Sequence, residues 1–124
     1  MAARKFALRK EFTIKKEEWG YGGGLGNGML RDPNTGKMCC LGIYLKACGV
    51  PVKDLENKSM PSNLAGYKLP EWLVLEHDPQ TEEEGVASKL ADANDKAAGD
   101  IDMKTRKKII RQGFADNGVK VTFA

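Results

Sequence analysis

The sequence is poor in features that usually advertise chemistry. Among its 124 residues there is one histidine, His77, so any imidazole chemistry has a single residue to use. Cysteine is nearly as scarce: Cys39, Cys40 and Cys48 are the only three. An odd count argues against a closed disulfide framework. The adjacent Cys39 and Cys40 do not bridge each other without strain. With His77 they make four potential zinc ligands, but no CxxC pair exists and the spacing does not support a metal site. Apolar runs are short, so nothing in the sequence spans a bilayer. No apolar core follows Met1-Ala2-Ala3-Arg4-Lys5, so no secretory signal is expected. Reduced thiols and an intracellular location follow.

Several fingerprints are also missing. There is no GxxxxGK[ST], and no GxGxxG between a strand and a helix. There is no DxDxDG calcium loop. No helix-turn-helix or RNA-binding aromatic signature is present. No internal repeat appears. The sequence implies no cofactor.

What is present describes a folded domain. Apolar residues make up 41% and charged residues 30% of the chain, as in ordinary globular proteins. The length suits a single domain covering 1–124. The formal net charge of +3 is too small to imply nucleic-acid binding by itself. Its distribution is uneven. Residues 1–21 and 22–70 each carry six Lys/Arg against three Asp/Glu. Residues 71–102 carry ten acids against two lysines, and residues 103–124 carry six bases against one acid. An acidic segment between basic ones either folds against its neighbours and water, or leaves a basic patch for an anionic ligand.

Periodicity predicts an α+β domain. Phe6, Leu8, Phe12 and Ile14 alternate as a strand. Thr13 is a candidate cap for a helical turn through Glu18, with Trp19 anchoring it to the core. Residues 20–28 hold six glycines and read as a mobile loop, a candidate lid over a ligand. Asp32-Pro33-Asn34-Thr35-Gly36 predicts a hairpin turn between Gly28–Arg31 and Lys37–Cys40. The hairpin leads into a buried helix over 40–48, with Leu41, Tyr44, Leu45 and Cys48 on one face, stopped by Gly49 and Pro51. Residues 51–70 read as an irregular connection. Pro70 opens a short helix containing Trp72. Thr81 and Glu84 form a capping box for a helix running to about Ala93. Asp102 caps a last helix from Met103 to Asp116, with Met103, Ile110 and Phe114 as its apolar stripe. Val119 to Phe123 alternates as a terminal strand.

Three constellations are candidates for function. Cys40 sits at a strand-to-helix junction, where a helix dipole lowers a thiol pKa. With His77 as base and Asn94, Asp95 or Asp78 as orienting partner it forms a candidate nucleophilic site, although buried packing is the plainer reading of the cysteines. The second is the carboxylate set. Glu82, Glu83 and Glu84 favour a helix start by charge. Asp92 and Asp95 flank Asn94 near a helix end, where paired carboxylates can do acid–base work or bind a divalent ion. The third is the basic wedge of the last helix, Lys104, Lys107, Lys108 and Arg111, with Arg106 nearby.

Met38-Cys39-Cys40-Leu41-Gly42, followed by Cys48-Gly49-Val50, resembles the "CCLG" segment of small tailed-phage and prophage proteins. Trp19-Gly20, Leu69-Pro70-Glu71-Trp72 and Leu90-Ala91-Asp92-Ala93-Asn94-Asp95 match other pieces of that pattern in the same order. The resemblance spans residues 12–116. The acidic stretch 76–84 and the Gly-rich loop depart from it. The resemblance implies a phage origin and says little about chemistry. Phage genes of this size often encode accessory proteins that act in the host, some inhibiting enzymes and some sequestering or degrading nucleotide signals of antiviral defence.

The first expectation is therefore a non-enzymatic accessory protein in the host cytoplasm. It would bind a host protein or a small anionic, nucleotide-like ligand through Tyr21, Gly23, Gly24, Lys37, Lys104, Lys107, Lys108 and Arg111. The second is a Cys-dependent hydrolase or transferase using Cys40, His77 and Asn94. The third and weakest is nonspecific nucleic-acid binding. No membrane partner is expected.

Overall fold

The computed structural model describes residues 7–22, 30–56, 58, 60–64, 66–74, 85–96 and 99–124. Its elements are strand β1 (Glu11–Ile14), helices α1 (Cys40–Ala47), α2 (Val52–Leu55), α3 (Glu71–Val74), α4 (Val86–Asp95) and α5 (Met103–Ala115), and strand β2 (Lys120–Phe123). The mixed α+β class expected from the sequence is observed. None of the helices among the described residues is long and apolar enough to cross a membrane.

β1 and β2 pair in parallel, with Phe12 opposite Val121 and Ile14 opposite Phe123. Parallel strands need a long crossover, and here it carries all five helices of the described residues. Alternation turns Phe12, Ile14 and Val121 inward. The strand starts later than periodicity suggested: Leu8 lies before it and is 46% exposed. Thr13 does not cap a helix, because it sits inside β1 opposite Thr122. Trp19 does reach the core.

The turn at Asp32–Gly36 forms as expected. Gly36 takes the left-handed conformation at φ +74°, and its N–H donates to the Asp32 carbonyl at 2.8 Å. The Asp32 carboxylate holds the turn from inside, accepting from the Asn34 N–H at 3.0 Å and the Thr35 hydroxyl at 3.0 Å. The flanks pair with other segments, however, not with each other along a hairpin ladder. Arg31 bridges to Glu56, and Met38 bridges to Trp19. The turn is thus a local motif serving two separate contacts.

α1 is buried on all sides from Cys40 to Leu45, where the sequence suggested a one-faced helix. Gly42 makes this possible. A Cβ there would lie 2.7 Å from the carbonyl carbon of Leu30 and closer still to its oxygen. The Leu30 backbone therefore lies directly against the helix, which only glycine permits. Tyr44 projects from α1 into a ring cluster with Phe12 at 5.0 Å, Phe114 at 5.3 Å and Trp72 at 5.8 Å. Tilted and edge-on ring pairs at these distances add attraction beyond buried area. Trp72, from α3, is only half-buried and closes this cluster from outside.

The connection 51–70 is more ordered than expected, holding α2 and a 3-10 turn at Pro61–Asn63. α4 opens at Gly85, whose extended φ/ψ marks the helix start. The expected cap at Thr81 is four residues too early, and Thr81–Glu84 themselves lie outside the described residues. α5 begins as expected: the Asp102 carboxylate accepts the Thr105 N–H at 2.6 Å, a standard N-cap. Gly118, at φ +80°, then turns the chain from α5 into β2.

Candidate functional site

Asn94, in the last turn of α4, is fully buried and uses both ends of its amide. Its Oδ1 accepts from the Trp19 indole N–H at 2.7 Å and from the Cys40 backbone N–H at 3.1 Å. Its Nδ2 donates to the Gly20 carbonyl at 2.9 Å and to the Asp95 carboxylate at 3.1 Å. Its main-chain carbonyl accepts the Gly22 N–H at 2.8 Å. The first-turn amide of α1, an orphan donor in an isolated helix, is thus capped by a side chain 54 residues away. Trp19-Gly20, Cys39-Cys40 and Asn94-Asp95 are scattered in the sequence and meet at this one node.

Arg106 braces the node from α5. It is only 1% exposed. Its guanidinium Nη1 donates to the carbonyls of Ala93 at 3.2 Å and Asn94 at 2.8 Å, at the negative end of the α4 dipole. The sequence placed Arg106 beside a surface basic wedge; its burial is a correction. Nearby Asp95 is half-buried, and burial raises its carboxyl pKa, opposed by the Asn94 hydrogen bond and the Arg106 charge.

The thiols sit in the same interior. Cys40 is fully buried, and its Sγ lies 3.8 Å from the Leu90 carbonyl. Burial pushes its pKa well above the ordinary thiol value. Burial likewise pushes Cys39 up to about 11, with the Asp95 charge adding to the rise. The dipole effect expected at the α1 N-terminus is outweighed by desolvation. Cys48 is also raised, chiefly by burial. Asn94 spends its amide on Trp19, Cys40, Gly20 and Asp95, which leaves no group to orient an imidazole. His77 lies outside the described residues. Among the described residues, no group of three or more His, Cys, Asp or Glu is placed to hold a metal ion.

The node has an outward face. Because Asn94 ties down Trp19, Gly20 and Gly22, the intervening Tyr21 is held in place. Its ring lies 4.4 Å from that of Trp19 and 5.2 Å from the Arg106 guanidinium, while 37% of the residue stays exposed. Phe123, at the end of β2, closes in on Trp19 at 5.2 Å. These three rings line a cleft of about 270 Å3, with Lys16 and Lys107 at its edge. Two α5 cations face the Phe123 ring, Lys107 at 5.2 Å and Arg111 at 4.9 Å. That range is favourable for cation–π attraction.

The structure divides the residues that the sequence grouped together. Tyr21 and Lys107 line this cleft, while Arg111 faces the Phe123 ring and lines a separate trough. Lys108 instead lines an apolar groove between α4 and α5, beside Ile109. Lys104 is exposed at the start of α5 and does not line the cleft. Lys37 stays with the Asp32 turn, where its carbonyl accepts the Asp32 N–H at 2.9 Å. Gly23 and Gly24 lie outside the described residues. Sequence reasoning missed Lys16 and Phe123 as site residues. The alternation of Val119–Phe123 marked Phe123 as an inward-facing strand residue. Only the parallel pairing with β1 shows that it meets Trp19.

The fold and cleft define a small α+β domain with an aromatic, cation-edged cleft. Compared with known protein families, curated proteins and solved structures, the chain matches none.

Proposed function

We propose that this protein is a phage accessory protein, working in the host cytoplasm as a non-enzymatic binding module. It takes a small planar anion of nucleotide type in the Trp19–Tyr21–Phe123 cleft. The phage origin rests on the resemblance of the CCLG and associated segments. The ligand class rests on one observation: three aromatic rings and the cations Lys16 and Lys107 line a single cleft, with Lys107 and Arg111 both facing its Phe123 ring. A base stacked on an aromatic side chain gains about 1–3 kcal/mol. A phosphate gains charge-assisted hydrogen bonds from lysine and arginine. At about 270 Å3 the cleft lies below the span of about 300–1,000 Å3 typical of drug-sized ligands, which favours one nucleotide unit over a larger molecule. The burial of all three thiols speaks against the Cys40 nucleophile.

Native mass spectrometry tests this reading, with the protein alone and after incubation with a panel of nucleoside monophosphates and with host small-molecule extract. A retained mass is expected, lost at high salt because screening weakens surface charge attraction, and lost in Lys16→Ala/Lys107→Ala. If the protein retains nothing from either source, the reading fails. If only long oligonucleotides bind, with affinity falling steeply with salt, nucleic-acid binding replaces it.

A further inference from the structure

The two-stranded sheet has an open side. The Lys120 N–H donates to the Lys10 carbonyl at 2.8 Å, and the Ala124 N–H donates to the Ile14 carbonyl at 3.0 Å. In a parallel pair alternate residues address the same neighbour. The amides of Lys120, Thr122 and Ala124 therefore turn toward β1, and those of Val121 and Phe123 turn away. Among the described residues no backbone carbonyl beyond the β1–β2 ladder accepts either amide.

A trough of about 510 Å3 opens at the start of β2, where α5, β2 and the residue before β1 meet. Ala115, Val119 and Val121 supply apolar wall, and Lys10, Arg111 and Lys120 supply charge. None of these cations has an ion-pair partner among the described carboxylates. Unpaired strand edges attract other strands, and charged side chains are the usual guard. The guard here is of one sign. A second copy pairing edge to edge across a two-fold axis would bring this cation set against itself, which like-charge repulsion opposes. A negatively charged strand meets no such barrier.

We propose that the outer edge of β2 is a β-augmentation site for an extended acidic peptide segment of a partner protein. The main-chain groups of Val121 and Phe123 give the ladder, and Lys10, Arg111 and Lys120 select the charge. β2 has four residues, so it accommodates about four or five peptide residues at roughly 3.3 Å per residue. The two sites share Phe123 and the nearby Arg111, but Lys10 and Lys120 lie outside the aromatic cleft and Lys16 lies outside the trough, so substitutions at these lysines separate the two readings.

The test uses the full chain, labelled for amide detection by NMR. The probe is a capped pentapeptide of alternating glutamate and valine. Its control is the same peptide N-methylated at alternate residues, which keeps the charge and removes ladder donors. Binding of the unmodified peptide is expected to slow hydrogen exchange at Val121 and Phe123 at least tenfold. The N-methylated peptide is expected to bind at least tenfold more weakly, as is the unmodified peptide to Lys10→Glu/Lys120→Glu. Lys16→Ala, which alters the cleft, is expected to leave peptide binding unchanged. Four results overturn the proposal. One is no binding at millimolar peptide. Another is equal binding of both peptides, which indicates charge alone. The third is protection of Val121 and Phe123 that rises with protein concentration without peptide, which indicates self-association. The last is that an oligothymidylate of equal charge displaces the peptide and binds more tightly.

Discussion

Around Asn94, donors and acceptors are matched nearly one to one and hidden from water. Along the flank formed by α5 and β2, Lys107, Arg111 and Lys120 have no carboxylate within ion-pair distance among the described residues. The first region gains stability because the Asn94 amide is satisfied at both ends, although the buried Arg106 Nε has no hydrogen-bond partner among the described residues. The second gains little from its charges and keeps them available to a ligand. Tyr21 joins the two regions. Its backbone neighbours are fixed by Asn94, while its ring faces the cleft beside Lys107.

Substitutions are the direct way to break this contrast. Asn94→Ala strands the Trp19 indole N–H, the Cys40 N–H and the Gly20 carbonyl. Each unsatisfied buried group costs about 1–3 kcal/mol, so a loss of about 4 kcal/mol or more is expected in urea unfolding. A loss below about 1 kcal/mol would show that water or neighbours replace the amide easily. Gly42→Ala comes next. Its Cβ meets backbone at Leu30, not a flexible side-chain tip, and overpacking of this kind costs about 3 kcal/mol. A variant as stable as the parent would mean that α1 and the Leu30 segment separate freely.

The thiols sharpen the same comparison. Cys39, pushed up to about 11, is expected to react with iodoacetamide at neutral pH about a hundredfold more slowly in the native chain than after unfolding. Cys40 and Cys48 are expected to lag as well. Rapid labelling of one native thiol would restore the nucleophile reading. Asp95 gives a smaller, pH-dependent effect. Its folded pKa is raised, so the folded state holds the proton more tightly than the unfolded chain does. Its contribution to stability is full below the ordinary carboxylate range and is lost as pH rises through the raised value. Asp95→Asn is expected to remove that decline in urea midpoints measured across pH; an unchanged slope would assign the decline elsewhere. Smallest of all, Lys107→Ala and Lys120→Ala are expected to shift stability by no more than about 0.5 kcal/mol, as surface changes usually do. A larger loss would give these cations a structural role.

Local signals read well from the sequence. The turn around Gly36, the Asp102 cap and the terminal strand all depend on nearby residues, and all formed, while α4 runs two residues past the expected Ala93. Readings that depended on distant partners fared worse. Thr13 offers a cap by its chemistry, but pairing with β2 places it in a strand. Arg106 follows the spacing of a surface cation, but the carbonyl ends of α4 draw it inside. The cleft was half legible. Tyr21 and Lys107, which line it, and Arg111, which faces its Phe123 ring, were named from charge and loop context. Lys16 and Phe123 enter it only through the parallel register, which no local pattern encodes.

That register also sets when the molecule can form. Glu11 pairs with Lys120, about 110 residues later in the chain. Closing so long a loop is entropically costly and slow compared with forming local contacts. On the ribosome, Phe12 and Ile14 are made about 110 residues before the Val121 and Phe123 that pair with them. The aromatic cleft, which needs Phe123, therefore forms only once the whole crossover has been made.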